Sequence, residues 1–110
     1  MIDKTVKKIE ETVAGAPSLS EEKREQLLAL LGELKTEITR LSRTHRETAL
    51  SIADKSHASA RHATREDRDE QAVAASIDDL TAVVKKFEAS HPGLVSVVNS
   101  FCNALADLGI

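Results

Sequence analysis

Residues able to ligate a metal ion gather in one polar stretch of the chain, where His57, His62 and Glu66 lie. His62 and Glu66 are one helical turn apart, and imidazole and carboxylate groups at that spacing can bind a divalent ion. His57 and His62, however, are five residues apart and lie on different faces of a helix. The paired Glu-x-x-His motifs of di-iron bundles are also absent. We therefore predict exposed histidines near a helix end, with no metal and no other cofactor.

Cys102 is the single cysteine and the strongest candidate nucleophile. A reactive thiol needs a neighbouring base or cation to lower its pKa, and the adjacent residues Phe101 and Asn103 supply neither. His91 precedes Pro92, which predicts a histidine at the junction between two helices. Neither a Gly-rich phosphate loop nor a Ser-centred elbow nor a paired-cysteine motif occurs. The sequence therefore predicts a packed, inert thiol and no catalytic residue.

A small basic cluster, formed by Arg40, Arg43, His45 and Arg46, could contact phosphate groups. Nucleic-acid-binding surfaces usually combine a wide basic face with aromatic residues that stack on bases. The formal net charge of −3 and the pI of about 5.8 disfavour such a surface. The alternative function left open is an accessory protein that binds nucleic acid or another anionic ligand through these arginines and residues 55–65.

The composition predicts a single all-α domain over residues 1–110. Hydrophobic residues make up 41% of the chain, but Phe87 and Phe101 are its only aromatic residues, so Leu, Ile, Val and Ala must form the core. A single cysteine requires no oxidising compartment. The sequence lacks the roughly 20 consecutive apolar residues of a membrane span, and its N-terminus is unlike a signal peptide. We therefore expect a cytoplasmic protein that does not bind membranes.

Apolar residues at alternating spacings of four and three predict helices with a narrow packing stripe. The stripe of the second helix, which we call the seam, consists of Leu27, Leu31, Leu34, Ile38, Leu41, His45, Thr48 and Ile52. It is followed by small residues, which allow close helix approach but bury little apolar area: Ser56, Ser59, Ala60 and Ala63.

Two alternatives remain for the chain between Gly32 and Gly93, which contains neither Gly nor Pro. One helix could run through almost the whole of it. A turn near residue 65 is favoured, because basic residues accumulate before it and acidic residues follow it, as two separate helix dipoles prefer. Thr64 is then predicted to cap the next helix, with Asp67 completing the capping box.

The favoured alternative is a long antiparallel helical hairpin, covered at its apolar end by a short N-terminal and a short C-terminal helix. The predicted helices span about residues 2–14, 20–64, 66–90 and 92–108.

Capping residues predict the ends of the shorter elements. Gly15 should close the first helix in the left-handed conformation, and Ser18 or Ser20 should cap the second. Gly109 should close the last helix and bring Ile110 against Leu105.

Two sequence motifs mark the C-terminal stretch from Phe87 to Ile110, which reads FEASHPGLVSVVNSFCNALADLGI. It begins with FEASHP and ends in ALADLGI. It resembles the end of a family of short bacterial helical proteins, the domain-of-unknown-function family DUF4404. Upstream of Phe87 the resemblance is limited to the kind and order of the helices, in which a short amphipathic helix is followed by a Leu-rich one. Residues 53–70 depart from the family by a longer segment rich in Ala, Ser, His and charge. The resemblance implies a small helical fold and a bacterial origin, and it implies no catalytic residue.

The seam predicts self-association. A long helix whose far half carries only small residues cannot bury its stripe against a short helix, so the stripe is available to a second copy. We expect a homodimer or tetramer, packed as a bundle or coiled coil, with an interface formed by Leu34, Ile38, Leu41, His45 and Ile52. Binding of another protein by the same face stays open. The predicted function is protein interaction or structural assembly without catalytic activity.

Overall fold

The computed structural model describes residues 2–108, and all of its regular secondary structure is α-helical. The all-α class predicted from the sequence is confirmed. In chain order the five helices of the described residues are α1 (Ile2–Ala14), α2 (Glu21–Ser42), α3 (Arg46–Thr64), α4 (Glu70–Lys85) and α5 (Pro92–Asp107).

Helix α3 lies at the centre of the molecule, because it contacts each of the other four helices. Its buried residues are almost all small, and they are Ala49, Ile52, Ala53, Ser56, Ser59, Ala60, Ala63 and Thr64. Small side chains let neighbouring helix axes approach closely, so α1, α2, α4 and α5 can surround α3 and supply the larger apolar groups. The buried apolar residues of all five helices form one continuous core.

The single helix predicted over residues 20–64 is wrong, because the chain reverses at Arg43, Thr44 and His45 and forms two helices. At His45 the backbone has φ −136° and ψ 63°, outside both the helical and the extended regions. A straight helix of that length would leave its seam in water. The reversal instead brings α2 against α1, α3 and α5, where its apolar stripe is buried.

The predicted turn after Thr64 is confirmed, but its capping is different. Thr64 is the last residue of α3, and its hydroxyl donates to the Ala60 carbonyl oxygen at 2.8 Å. Helix α4 is capped by Asp69, whose carboxylate accepts from the backbone N–H of Gln71 at 2.9 Å and of Ala72 at 3.4 Å. The carboxylate satisfies N–H groups at the positive end of the α4 dipole, which the hydroxyl of Thr64, held by its own helix, cannot reach.

The third predicted helix, residues 66–90, is shorter at both ends than expected. After Lys85 the chain continues in turns, with Phe87 N–H donating to Val84 O at 2.9 Å and Glu88 N–H donating to Lys85 O at 3.2 Å. These bonds span three residues instead of four, so the helix tightens and ends before Pro92 forces a break.

The start of α2 agrees with one of the predicted caps, since the Ser20 hydroxyl accepts from the Lys23 backbone N–H at 3.2 Å. Gly15 does not close α1 as predicted, because no described glycine has a positive φ. Arg24 completes the end of α1 instead. Its guanidinium donates to the carbonyl oxygens of Ala16 at 2.7 Å and Val13 at 3.4 Å, and it pairs with Glu21.

Arg68 likewise bonds to carbonyl oxygens at the C-terminal ends of two other helices, α3 and α5. Its guanidinium donates to the carbonyl oxygens of Ala63 at 3.1 Å, Leu105 at 2.9 Å and Ala106 at 3.2 Å, and it pairs with Glu70. The side chain is only 10% exposed. One charged group therefore ties the C-terminal ends of α3 and α5 to the start of α4. The predicted closure by Gly109 and Ile110 lies outside the described residues.

The α2–α3 and α4–α5 hairpins repeat one pattern at a constant offset along the chain. The apolar stripe of α2 and the exposed histidine of its turn recur in α4 and its turn. The residues Leu27, Leu31, Leu34, Ile38, Leu41 and His45 correspond to Val73, Ile77, Leu80, Val84, Phe87 and His91. The two hairpins therefore place a histidine at the same point of each turn.

Replacing Arg68 with Ala should lower the free energy of unfolding by about 2 kcal/mol, because three carbonyl oxygens lose a largely buried charged donor. Urea unfolding followed by circular dichroism measures this. Arg65→Ala is the matched control. Among residues 2–108 Arg65 pairs with exposed Asp67 alone, so this change should cost less than about 0.5 kcal/mol. Equal losses in the two variants would contradict the bridging role of Arg68.

Candidate functional site

Two histidine rings and one phenylalanine ring meet at the end of the bundle where the two hairpins turn. The rings of His45, Phe87 and His91 pack there edge to face. Their centroids are 5.1 Å apart for His45 and Phe87, 5.7 Å for Phe87 and His91, and 6.4 Å for the two histidines. We call these three residues the ring cluster. The T-shaped geometry places ring edges against ring faces, which is the favoured arrangement of aromatic groups.

The two histidines of the ring cluster have the same local structure. His45 precedes α3 and His91 precedes α5, with φ −136° in both and ψ of 63° and 64°. Each Nδ1 lies within hydrogen-bond distance of the preceding hydroxyl, at 2.8 Å from Thr44 and 2.9 Å from Ser90. Both imidazoles are therefore oriented through Nδ1 by a neighbour in the chain, which leaves Nε2 as the nitrogen free for other contacts.

The Thr44 hydroxyl lies between two groups with which it can bond. It is 2.8 Å from His45 Nδ1 and 3.4 Å from the Leu41 carbonyl oxygen. The tautomer of His45 decides which of Thr44 and His45 donates in the shorter bond. The His45 side chain is exposed.

A cation and one Glu-x-x-His spacing lie beside the ring cluster. Lys86 Nζ lies 5.7 Å from the Phe87 ring centroid, as a cation over its face. One Glu-x-x-His spacing exists, from Glu88 to His91, but it falls on the turn residues after α4 and not on a helix. Within residues 2–108, no three His, Cys, Asp or Glu side chains form a group able to hold a metal ion. The cluster offers two imidazoles, fewer than the three protein ligands of catalytic zinc centres.

The predicted interface residues separate into two groups. Leu34, Ile38, Leu41 and Ile52 are fully buried within the chain itself. His45 is exposed. In this conformation α1, α3 and α5 cover the stripe of α2, so a second copy can reach those four side chains only after a helix moves.

The polar stretch considered for metal binding is spread out by the end of α3. His57 and His62 lie on α3, whereas Glu66 is in the loop that follows it. The pKa of His57 is lowered from its ordinary 6.5, first by burial of the ring and then by Arg61 and Lys8, while Asp54 opposes the shift. His57 is therefore a half-buried neutral ring between cations, where a positively charged metal ion is disfavoured.

The basic residues of the alternative function are spread along α3. Arg40, Arg43 and Arg46 lie at the α2–α3 turn, and Arg40 pairs with Glu37 at 3.2 Å. Residues 55–65 run from the middle of α3 to the loop after it, and at the helical rise of about 1.5 Å per residue they begin about 14 Å from Arg46 and reach about 27 Å from it at Thr64. A phosphate backbone would have to follow most of the length of α3 to contact all of them.

Cys102 is buried in α5. Burial raises the pKa of its thiol from 9.0 to about 11, so the side chain is protonated near neutral pH. A protonated, buried thiol is a poor nucleophile.

The sequence predicts His45 as a seam residue and His91 as a residue at a helix junction. Neither prediction places the two histidines beside Phe87. The signal that could have joined them is the pair of hydroxyl-histidine dipeptides, Thr44–His45 and Ser90–His91. Each follows an apolar stripe of the same spacing. The repeat predicts two like turns, and two hairpins packed side by side bring like turns to one end.

Comparisons with known proteins add no family to this description. Neither a protein-family model nor a curated protein nor a solved structure matches the chain. Among residues 2–108, no helix is both long and apolar enough to cross a bilayer.

Cys102 should react slowly with a thiol reagent such as Ellman's reagent in the native protein and rapidly in denaturant, because folding buries the group and keeps it protonated. An exposed thiol on the same helix, Asn103→Cys in a Cys102→Ala background, is the control and should react at once. Equal native rates for the two thiols would contradict the buried environment of Cys102.

His57 should make stability fall with acidification. Its pKa is lower in the folded chain than in the unfolded one, so between the two values the unfolded chain binds more protons. The contribution of His57 to the free energy of unfolding is therefore fully present above about pH 6.5, and it is lost as the pH falls through the lowered pKa of the ring. His57→Gln should reduce the loss of melting temperature between about pH 7 and about pH 5.

The cause of this shift is tested by NMR titration of the His57 ring. Arg61→Ala should raise the pKa of His57 towards 6.5, because it removes one repelling cation. Arg65→Ala, which removes an arginine that does not act on His57, should leave that titration unchanged. A pKa of His57 at or above 6.5 in the unmodified protein would contradict the prediction.

Proposed function

We propose that this protein is a non-catalytic protein-interaction module that associates with a second copy of itself through the seam carried by α2 and the first half of α3. The observation that carries the proposal is the continuity of the seam across the α2–α3 turn. Leu41, His45 and Thr48 keep the spacing of four and three, although the chain reverses between them. An apolar stripe with this spacing is the pattern by which one helix packs against a partner helix.

The turn also lacks the residues that usually enforce a reversal. It consists of Arg43, Thr44 and His45, with neither Gly nor Pro. No side chain caps the start of α3 at His45. The end of α2 and the beginning of α3 therefore carry backbone groups without the helical partners they would have in a longer helix.

The absence of a catalytic role is part of the same proposal. The Cys102 thiol is buried with a pKa of about 11, and the ring cluster supplies two imidazoles from two turns. These features suit packing and recognition better than nucleophilic or metal-assisted chemistry. A bacterial, cytoplasmic setting and kinship with the DUF4404 family belong to the proposal as well, supported by the C-terminal phrase from Phe87 to Ile110.

Sedimentation equilibrium over about 1 µM to about 1 mM protein tests self-association, because a dimer in mass-action balance grows with concentration. The expected mass rises from the 11.9 kDa of one chain towards twice that value. A constant mass of one chain over the whole range would contradict the proposed function.

Thr48→Glu should weaken this association about tenfold, because a two-fold interface repeats each residue and would place two carboxylates close together. Thr48 is half-buried in the single chain, so the variant should still fold. Glu47→Gln changes an exposed neighbour off the seam and serves as the control. Equal masses for both variants would show that the middle of the seam is not in the interface.

A further inference from the structure

The two hairpin turns have the same backbone conformation but different covalent constraints. His45 and His91 agree in φ and within one degree in ψ. His91 is followed by Pro92, whose ring disfavours a helical conformation at the residue before it. His45 is followed by Arg46, which imposes no such restriction. The α4–α5 turn is therefore locked by a proline, whereas the α2–α3 turn has no residue that restricts its backbone in this way.

Both sides of the α2–α3 turn already make helical hydrogen bonds. His45 N–H donates to Leu41 O at 2.8 Å and Ala49 N–H donates to His45 O at 2.9 Å. Both bonds have the four-residue spacing of an α-helix. Arg43, at the end of α2, has helical φ and ψ. Rotation concentrated at His45 would join α2 and α3 into one helix, with no Gly or Pro between Gly32 and Thr64 to interrupt it.

We propose that the α2–α3 turn is a hinge for exchange between two copies, in which the hinge straightens and α1–α2 of each chain packs onto α3, α4 and α5 of the other. This inference rests on the proposed self-association and names its mechanism. The contacts of α2 with α5 and of α1 with α3, present within one chain, are remade with the second copy. The seam residues then stay buried and lie between chains, which reconciles their burial with an interface role.

Exchange preserves the contacts made across the closed bundle. The equilibrium between the closed monomer and the exchanged dimer therefore depends on the few interactions that differ between them. Straightening pairs free carbonyl groups at the end of α2 with free N–H groups at the start of α3. It also creates a new contact where the two continuous helices meet, near His45 and Thr48. Against it stands the ring cluster, which ties His45 to Phe87 and His91 of the other hairpin. Protein concentration favours the exchanged dimer.

Arg46→Pro tests the hinge by copying the His91–Pro92 turn. The first position of a helix accepts proline and His45 already has a non-helical conformation, so the closed monomer should be retained. Inside a continuous helix the same proline is strongly unfavourable in each of two chains, which should weaken dimerisation by roughly 10⁴-fold. Arg46→Ala removes the same charge and keeps the N–H, and its dimerisation should match that of the unmodified protein. Equal dimerisation of the proline and alanine variants would overturn the proposal.

A disulfide test reads the connectivity of the dimer directly and does not depend on the proline variant. A Cβ built on Gly93 would lie 3.2 Å from the Glu37 carboxylate, so α2 and α5 touch there. Cysteines at both positions, Glu37→Cys and Gly93→Cys in a Cys102→Ala background, can be joined by oxidation or by a short bis-maleimide. In an exchanged dimer the bridge links two chains, and a non-reducing denaturing gel shows a covalent dimer. In a closed chain the bridge is internal.

The outcomes separate this inference from the proposed function. Covalent dimers in proportion to the dimer found by sedimentation support exchange. A sedimenting dimer whose bridges are all internal overturns exchange and leaves self-association in place. A single-chain mass at every concentration, with internal bridges only, overturns both.

Discussion

The close approach of four helices to α3 is the constraint on which the rest of the structure depends. It is met because the buried face of α3 carries chiefly Ala and Ser, which let the other helices supply the larger side chains. Two of the buried hydroxyls bond to their own helix, Ser56 to Ile52 O at 2.7 Å and Thr64 to Ala60 O at 2.8 Å. Ser59 Oγ is buried and finds no partner among the described residues. At Ser59 the small side chain that lets the helices pack closely is therefore kept, although its hydroxyl makes no hydrogen bond to the described residues.

The two ends of the bundle are held by different interactions. At one end Arg24 and Arg68 donate to carbonyl oxygens at the ends of α1, α3 and α5, so charged hydrogen bonds fasten three helices. At the other end the ring cluster holds two turns together through edge-to-face contacts. Ring contacts contribute less than a network of charged hydrogen bonds to buried or half-buried carbonyls. The turn end therefore carries the weaker of the two sets of contacts.

Much of the fold could be predicted from local patterns, and the failures have a common origin. The first helix, the Ser20 cap, the turn after Thr64 and the start at Pro92 each depend on neighbouring residues. The reversal at residues 43–45 has no local signal, because neither Gly nor Pro occurs there and the seam spacing runs on through it. Only the repeat of Thr44–His45 as Ser90–His91 points to it. The ring cluster was missed for the same reason, since His45, Phe87 and His91 meet only after two hairpins have packed.

The sequence by itself determined that the chain is helical, where its apolar stripes run, and that proline fixes one of two like turns. These properties depend on spacing and on single-residue backbone preferences, which act over a few neighbouring residues. Only the tertiary structure decided that α2 and α3 separate at His45. The physical reason is burial, because a helix carrying a long apolar stripe is stable only when a partner covers it, and here α1, α3 and α5 of the same chain provide that cover.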